Sequence, residues 1–300
     1  MNKLIIPILA VLLVAACTSN NNEPSTVTGK GLEITSFTAD QTEVQSGKTL
    51  RITMDVENSG GYKVPMAKSL AFLIFPSDWK FPDTSMKAWQ KFGKDMDQAD
   101  AARDVPADID QLTWRLTAPT ITTGQTRPDS FEGRVYYDYV TTVTGTVWLY
   151  SEAEYEAART GGGTLSQATF ESTEGPVTVE VTVSPNPPVI TSTDKMFTLK
   201  MKITNAGGGT VYKTSALAYS TGDVNLDTAD LNILSISATP SSAFSSDCLG
   251  QQELIRGKDL TLTCDVTASV PSTKQSFPIQ ITVSYGYWKA QSLTVDVLGK

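Results

Sequence analysis

Leu50-Arg-Ile-Thr-Met-Asp-Val-Glu-Asn-Ser-Gly-Gly61 alternates apolar and polar residues and then breaks off. Leu50, Ile52, Met54 and Val56 fall on one side of an extended chain, and Arg51, Thr53, Asp55 and Glu57 on the other. That is the period of a strand with one face in a core. Asn58-Ser-Gly-Gly61 supplies turn chemistry at its end. The same text returns further along: Leu32–Phe72 aligns without a gap on Val179–Tyr219, 147 residues on, with ten of 41 positions identical. Glu33/Glu180, Met54/Met201, Asn58/Asn205, Gly60/Gly207 and Gly61/Gly208 are among them.

The match continues in chain order. Leu112–Ala118 corresponds to Leu262–Ala268, and Phe131, Val135 and Tyr139 correspond to Phe277, Ile281 and Tyr285. Collinear matches of this kind mean tandem duplication. Within the first copy, Phe131–Tyr139 reads as a strand and Gly145–Tyr150 as its hairpin partner. Each copy reads as about seven short strands separated by turns. The fold expected is all-β: two tandem immunoglobulin-like β-sandwich domains, residues 31–175 and 176–300, with short helices in connections. The junction at Gly175-Pro176 is short, which predicts a stiff, extended pair.

The chain has 300 residues, 24 Lys+Arg against 32 Asp+Glu, a net charge of −8 and no histidine. A basic face for nucleic acid is lacking, and histidine-dependent catalysis, metal binding and pH switching are excluded. Residues 1–16 read as a signal peptide, with Leu4–Ala16 too short to span a bilayer. Val14-Ala-Ala-Cys17 resembles a prokaryotic lipobox, so Cys17 is the expected lipidation site and residues 17–30 a lipid-anchored tether. An ordinary secretory signal is the alternative. The address expected is extracytoplasmic, at the cell surface or envelope, where disulfides persist. Cys248 and Cys264 then remain and are expected to pair, contributing about 3 kcal/mol for a loop of this size. Two buried thiols would be the plainer alternative.

Met54-Asp-Val-Glu-Asn-Ser-Gly-Gly61 and Met201-Lys-Ile-Thr-Asn-Ala-Gly-Gly208 resemble the cell-adhesion-related (CARDB-like), Ig-like domains of prokaryotic surface proteins. With its lipobox, the whole chain looks like surface lipoproteins and S-layer-associated proteins of archaea. The resemblance implies a fold and a location, and brings no catalytic residues with it.

The copies differ most in one long connection, Pro76–Asp110 against about Asp223–Asp259. Such connections are where specificity can sit on a shared scaffold. In the first, Met86, Trp89, Phe92 and Met96 recur at three- to four-residue spacing, which predicts a helix over about Ser85–Arg103. Trp79, Phe81 and Trp89 form a candidate binding ridge for a sugar face or a protein. Capping the open end of the sandwich is the plainer reading and the one favoured. In the second, Asp223-Val-Asn225-Leu-Asp227 resembles the start of a calcium loop, but Thr228 and Leu234 stand where such loops want Gly and Glu. A solvated turn with Asp227 capping a short helix is the competing reading. Ser151-Glu-Ala-Glu154 reads as a capping box and Gly161-Gly-Gly163 as the end of that helix, with Glu152, Glu154 and Glu156 a solvated acidic face.

Apparent catalytic motifs fail on context. Ser46-Gly-Lys-Thr49 lacks the upstream Gly of a phosphate loop, position 42 being Thr. Ser77-x-x-Lys80 and Ser192-x-x-Lys195 lack the companion motifs of acyl-transfer enzymes. No enzyme and no cofactor are expected, calcium apart. The function expected is binding: adhesion or envelope scaffolding, with another envelope protein or a glycan as partner and the membrane reached through the lipid. A carbohydrate-binding or glycan-processing accessory module and a passive spacer are the alternatives.

Overall fold

The computed structural model describes residues 30–100 and 102–300. The signal segment, Cys17 and the tether up to residue 29 lie outside the described residues. The protein is mostly β, with several antiparallel sheets. In chain order the first repeat forms β1 (Leu32–Ala39), β2 (Glu43–Gln45), β3 (Thr49–Asn58), β4 (Ser69–Ile74), β5 (Trp89–Gln90), β6 (Ile109–Thr117) and β7 (Thr126–Tyr150). Helix α1 (Glu152–Thr160) and β8 (Thr169–Ser172) follow. The second repeat forms β9 (Val177–Ser184), β10 (Met196–Asn205), β11 (Thr210–Tyr212), β12 (Ile233–Thr239), β13 (Gly250–Glu253), β14 (Asp259–Thr267) and β15 (Lys274–Leu298).

Three sheets result among the described residues. β1-β3-β6 and β14-β10-β9 each form a three-stranded sheet, one per repeat. The third has nine strands and belongs to both repeats: β13-β12-β15-β7-β4-β5, with β2 and β11 on β15 and β8 on β7. Its axis is the pairing of β7 with β15, two 25-residue strands in unbroken antiparallel register from Lys274↔Tyr150 to Leu298↔Thr126. The expected hairpin within Phe131–Tyr150 is therefore one continuous strand. Tyr139-Val-Thr-Thr-Val-Thr-Gly145 holds no pair of turn residues, its β-branched side chains favour extension, and β15 hydrogen-bonds along its whole length.

Tyr139 stands opposite Tyr285, its own equivalent in the other repeat. Two equivalent residues can face each other in an antiparallel pair only on an approximate two-fold axis, so that axis passes between them. Each long strand then serves both repeats. Gly133 on β7 lies under Phe37 and the Met54 sulfur, in the first repeat. Further along, Thr141 Oγ1 donates to Val177 O on β9 at 2.9 Å, and Val143, Val147 and Leu149 are buried on the same face of β7. β15 does the reverse. Phe277 packs edge-on against Phe197 of β10, while Lys289, just past the axis, pairs with Glu33 of β1. Most buried apolar residues of both repeats form one continuous core.

The repeated Asn-x-Gly-Gly turns hold the junction at this axis. Glu174 O accepts from Gly61 N–H at 2.9 Å and from the Tyr139 hydroxyl at 2.8 Å. Pro176 O accepts from Ala206 and Gly207 N–H, both at 2.9 Å. A Cβ on Gly175, between them, would lie 2.5 Å from Thr141 Oγ1 and 2.9 Å from the Tyr139 ring. The asparagines tie off the strand ends in the same way twice: Asn58 Nδ2 donates to Tyr62 O and Met96 O, Asn205 Nδ2 to Gly209 O and Gly257 O. Burial pushes the Tyr137, Tyr139, Tyr285 and Tyr287 hydroxyls above the usual phenol range, so these rings act as neutral hydrogen-bonding groups.

Two local expectations meet different fates. Ser151 caps α1, its side chain accepting from Glu154 N–H, and Gly161 closes the helix. The expected helix over Ser85–Arg103 is absent. Carboxylates take up the backbone amides a helix would use: Asp83 that of Ser85, Asp100 those of Ala102 and Arg103, Asp108 that of Asp97 and Asp110 that of Gly93. Trp89 pairs with Phe72 instead, and Met96 bridges to Val64. Cys248 and Cys264 form a disulfide that ties the turn after β12 to β14.

Because each long strand completes the other repeat's core, neither repeat should fold alone. Residues 31–175 and 176–300 expressed separately are expected to lack a cooperative thermal transition by near-ultraviolet circular dichroism, and to regain one on mixing. Two independent cooperative transitions would contradict the shared core.

Candidate functional site

The candidate site is a recess of about 360 Å³ at the open side of the first repeat, where an edge strand of each sheet comes close. β5 is the edge of the nine-stranded sheet and β6 the edge of β1-β3-β6. Two hydrogen bonds bridge the gap: Trp114 Nε1–H donates to Ala88 O at 3.1 Å and Gln90 Nε2 to Thr113 O at 2.7 Å. The alternation of Leu112-Thr-Trp-Arg-Leu116 on β6 turns Trp114 into the core and Arg115 outward. Trp114 is thus the buried floor of the recess, half-buried Phe81 and Trp89 are walls, and Met86, 40% exposed, is the rim. Lys87 and Arg115, both exposed, complete the lining with Ser85, Gln90 and Thr113.

The structure divides the expected ridge. Phe81 and Trp89 line the recess; Trp79 does not, being only 2% exposed. Its indole N–H donates to Asp129 Oδ2 at 2.7 Å and its ring stands edge-on to Phe131, 4.9 Å between centroids. Asp129 is held in turn by Arg127, which also pairs with Asp78. An indole whose one polar atom has a buried acceptor leaves nothing that needs water, so Trp79 belongs to the core. Sequence reasoning missed Trp114, Lys87, Gln90 and Arg115. The strand alternation around Trp114 is the signal that carries Arg115, whereas the approach of β5 to β6 has no local signal.

Trp89 is positioned by the other repeat. A Cβ on Gly222 would collide with its indole ring, so the ring rests directly on the Gly222 backbone. Gly222 sits at φ +69°, in the left-handed region that favours glycine. The connection from β11 to β12 that carries Gly222 crosses the outer face of the nine-stranded sheet. Its Leu217, Tyr219, Val224, Leu226 and Leu231 pack with Leu70, Phe72, Tyr136 and Trp288 into a second, smaller core.

This packing accounts for the calcium-like segment. Val224 and Leu226 turn onto that core, which leaves Asp223, Asn225 and Asp227 on the exposed side of an extended stretch. Asp223 Oδ1 accepts from Asn225 N–H, and Asp227 precedes a short 3₁₀ turn without a side-chain cap. Among the described residues no group of three or more His, Cys, Asp or Glu is arranged to hold a metal ion.

Under the same connection Asp138 accepts from the Tyr219 hydroxyl at 2.7 Å, Tyr219 meets the Tyr212 hydroxyl at 2.7 Å, and Lys68 lies 3.7 Å away. Burial raises the Asp138 carboxyl above the usual aspartate value against the opposing effects of Tyr219 and Lys68.

A larger, shallow trough of about 710 Å³ lies on the outer face beside β8, lined by Thr144, Thr146, Thr169, Thr239, Pro278 and Gln280. Its one aromatic, Phe277, is engaged with Phe197. It brings no exposed ring and no cation together, so size does not make it the better candidate. Comparison of the chain with known protein-family models finds no match, and comparison with characterised proteins finds none.

Two predictions follow from this geometry. Gly222→Ala adds a clash with Trp89 at a left-handed backbone position, and is expected to cost about 1–3 kcal/mol in denaturant melts and to shift tryptophan emission. Unchanged emission would mean that Trp89 does not rest there. For Asp138 the folded-state value lies above the unfolded one, so the folded chain holds the proton more tightly. Stability from this group is present at acid pH and lost as pH rises through the raised value. Asp138→Asn, which keeps the acceptor for Tyr219, is expected to raise the melting temperature at neutral pH and to leave it nearly unchanged below the ordinary aspartate range.

Proposed function

We propose that the chain is an extracytoplasmic binding protein, held to the membrane through a lipidated Cys17, that recognises a glycan of the cell envelope without catalysing a reaction. In this reading the two repeats are immunoglobulin-like β-sandwiches of the surface-lipoprotein kind, fused through their shared sheet. The observation that carries it is the recess of Phe81, Met86, Trp89 and Trp114 at the open side of the first repeat. A partly exposed indole beside a second aromatic wall suits the flat C–H face of a sugar ring, and Gln90, Ser85 and Thr113 offer polar groups for its hydroxyls. The ring is held against Gly222, so it loses little freedom on binding. The lipobox-like Val14-Ala-Ala-Cys17 and the polar, Asn-rich stretch after it support the location, and a recess lining without a carboxylate pair, which glycoside hydrolysis uses, supports binding.

Protein contact by the same surface is the competing binding mode, and a passive spacer the reading without a site. Solubilised envelope polysaccharide titrated into the full-length chain in detergent is expected to shift tryptophan emission. Trp89→Ala should weaken binding by about tenfold or more, as truncation of a central aromatic anchor does. Retention of envelope protein but no polysaccharide would favour the protein-contact mode, and retention of neither the spacer.

A further inference from the structure

Resting on the glycan-binding reading above, we propose that the recess beside Trp89 takes a carboxylate-bearing sugar, a uronate unit of a polysaccharide, with Lys87 and Arg115 holding its acid group. The chain is acidic, with a net charge of −8, yet the recess is lined by two cations and no carboxylate. The acids nearest in sequence are turned to backbone amides: Asp83 Oδ1 accepts from Ser85 N–H at 2.8 Å and Asp110 Oδ2 from Gly93 N–H at 2.7 Å.

Several other cations of this repeat are paired. Lys63 lies 3.2 Å from both Asp95 and Asp97, Lys94 pairs with Asp108, and Arg127 with Asp78 and Asp129. Among the described residues neither Lys87 nor Arg115 has a carboxylate at ion-pair distance. Arg115 also stands directly opposite Arg51 in the β3–β6 pairing, where like charges repel. Arg51 is compensated by Asp40 at 3.8 Å, and Arg115 is left for an incoming anion.

Lys87 has a second relation to the site. Its Nζ lies over the Trp89 ring, 4.9 Å from the centroid. A sugar that lands on the indole competes for the face this ammonium rests on, and the displaced cation then needs a new partner. An acid group carried by the same sugar supplies it. Arg115, with its planar fork, gives the carboxylate a bidentate partner.

The test uses polygalacturonate, alginate and hyaluronan, each beside its carboxyl-reduced neutral form, in tryptophan-emission titrations of the full-length chain in detergent. At low salt at least one acidic polymer is expected to bind about tenfold or more tighter than its reduced form, with the difference shrinking as salt is raised. Lys87→Gln and Arg115→Gln should each lower the ratio of acidic to reduced affinity, and the double variant should bring it to one, while the melting temperature stays as in the parent. Because Lys87→Gln also frees the indole face, the ratio rather than either affinity alone is the readout. Equal affinity for acidic and reduced forms would overturn the acid-group proposal and leave glycan binding standing. A preference that survives in the double variant would overturn it as well, by placing the acid elsewhere. Binding of no polymer of either kind would remove both readings.

Discussion

Everything else in this molecule depends on the unbroken pairing of β7 with β15. A 25-residue strand is far longer than one sandwich needs, and a solitary edge of that length would be a hazard. Here each long strand protects the other, and each contributes half of its inner face to the neighbouring repeat. The axis is marked by Tyr139 against Tyr285, with Gly175 fitted where no side chain would go. The chain crosses from one repeat to the other through this crowded point, held by backbone amides from both Asn-x-Gly-Gly turns. The junction is therefore part of the core rather than a link between cores.

A duplicated chain on an approximate two-fold axis begins with two copies of every surface, and this one has made them different. On the outer face, Tyr136 pairs with Trp288 beneath the connection that carries Leu217, Tyr219 and Val224. The positions related by the axis are Thr282 and Thr142, also paired, beside the open threonine-lined trough. One end of the sheet buries aromatics under a flap and the other presents hydroxyls. The flap does more than cover apolar surface. It delivers Gly222 to Trp89, so the recess in the first repeat has one of its walls set by the second. A divergent connection in each copy is thus needed for one site.

Charge is distributed to the same effect. Most acidic side chains of the first repeat's long connection are consumed locally, in backbone hydrogen bonds and ion pairs that shape a segment with little regular structure. Those bonds also explain why apolar residues at helical spacing did not make a helix. A carboxylate that accepts a nearby amide offers the backbone an alternative to the helical ladder, and four such residues lie within about thirty positions. What remains unpaired around the recess is cationic, in a protein whose overall charge is of the opposite sign.

Local patterning was enough for the strand-rich character, the duplication and the α1 cap at Ser151, and it made the pairing of Cys248 with Cys264 the expectation once Cys17 is set aside. Each rests on local periodicity, on residue chemistry at a fixed spacing or on the count of available partners. It also pointed to the long connection as the place where the copies differ, and to Phe81 and Trp89 within it. The tertiary structure decided the rest. Whether Gly145 opens a new strand or continues one depends on β15, well over a hundred residues away. Trp79 and Trp89 look alike in sequence, and Asp129 and Gly222, both distant, make one a core residue and the other a wall of the recess. A strand pattern states which side chains share a face, and only the packed chain states what that face meets.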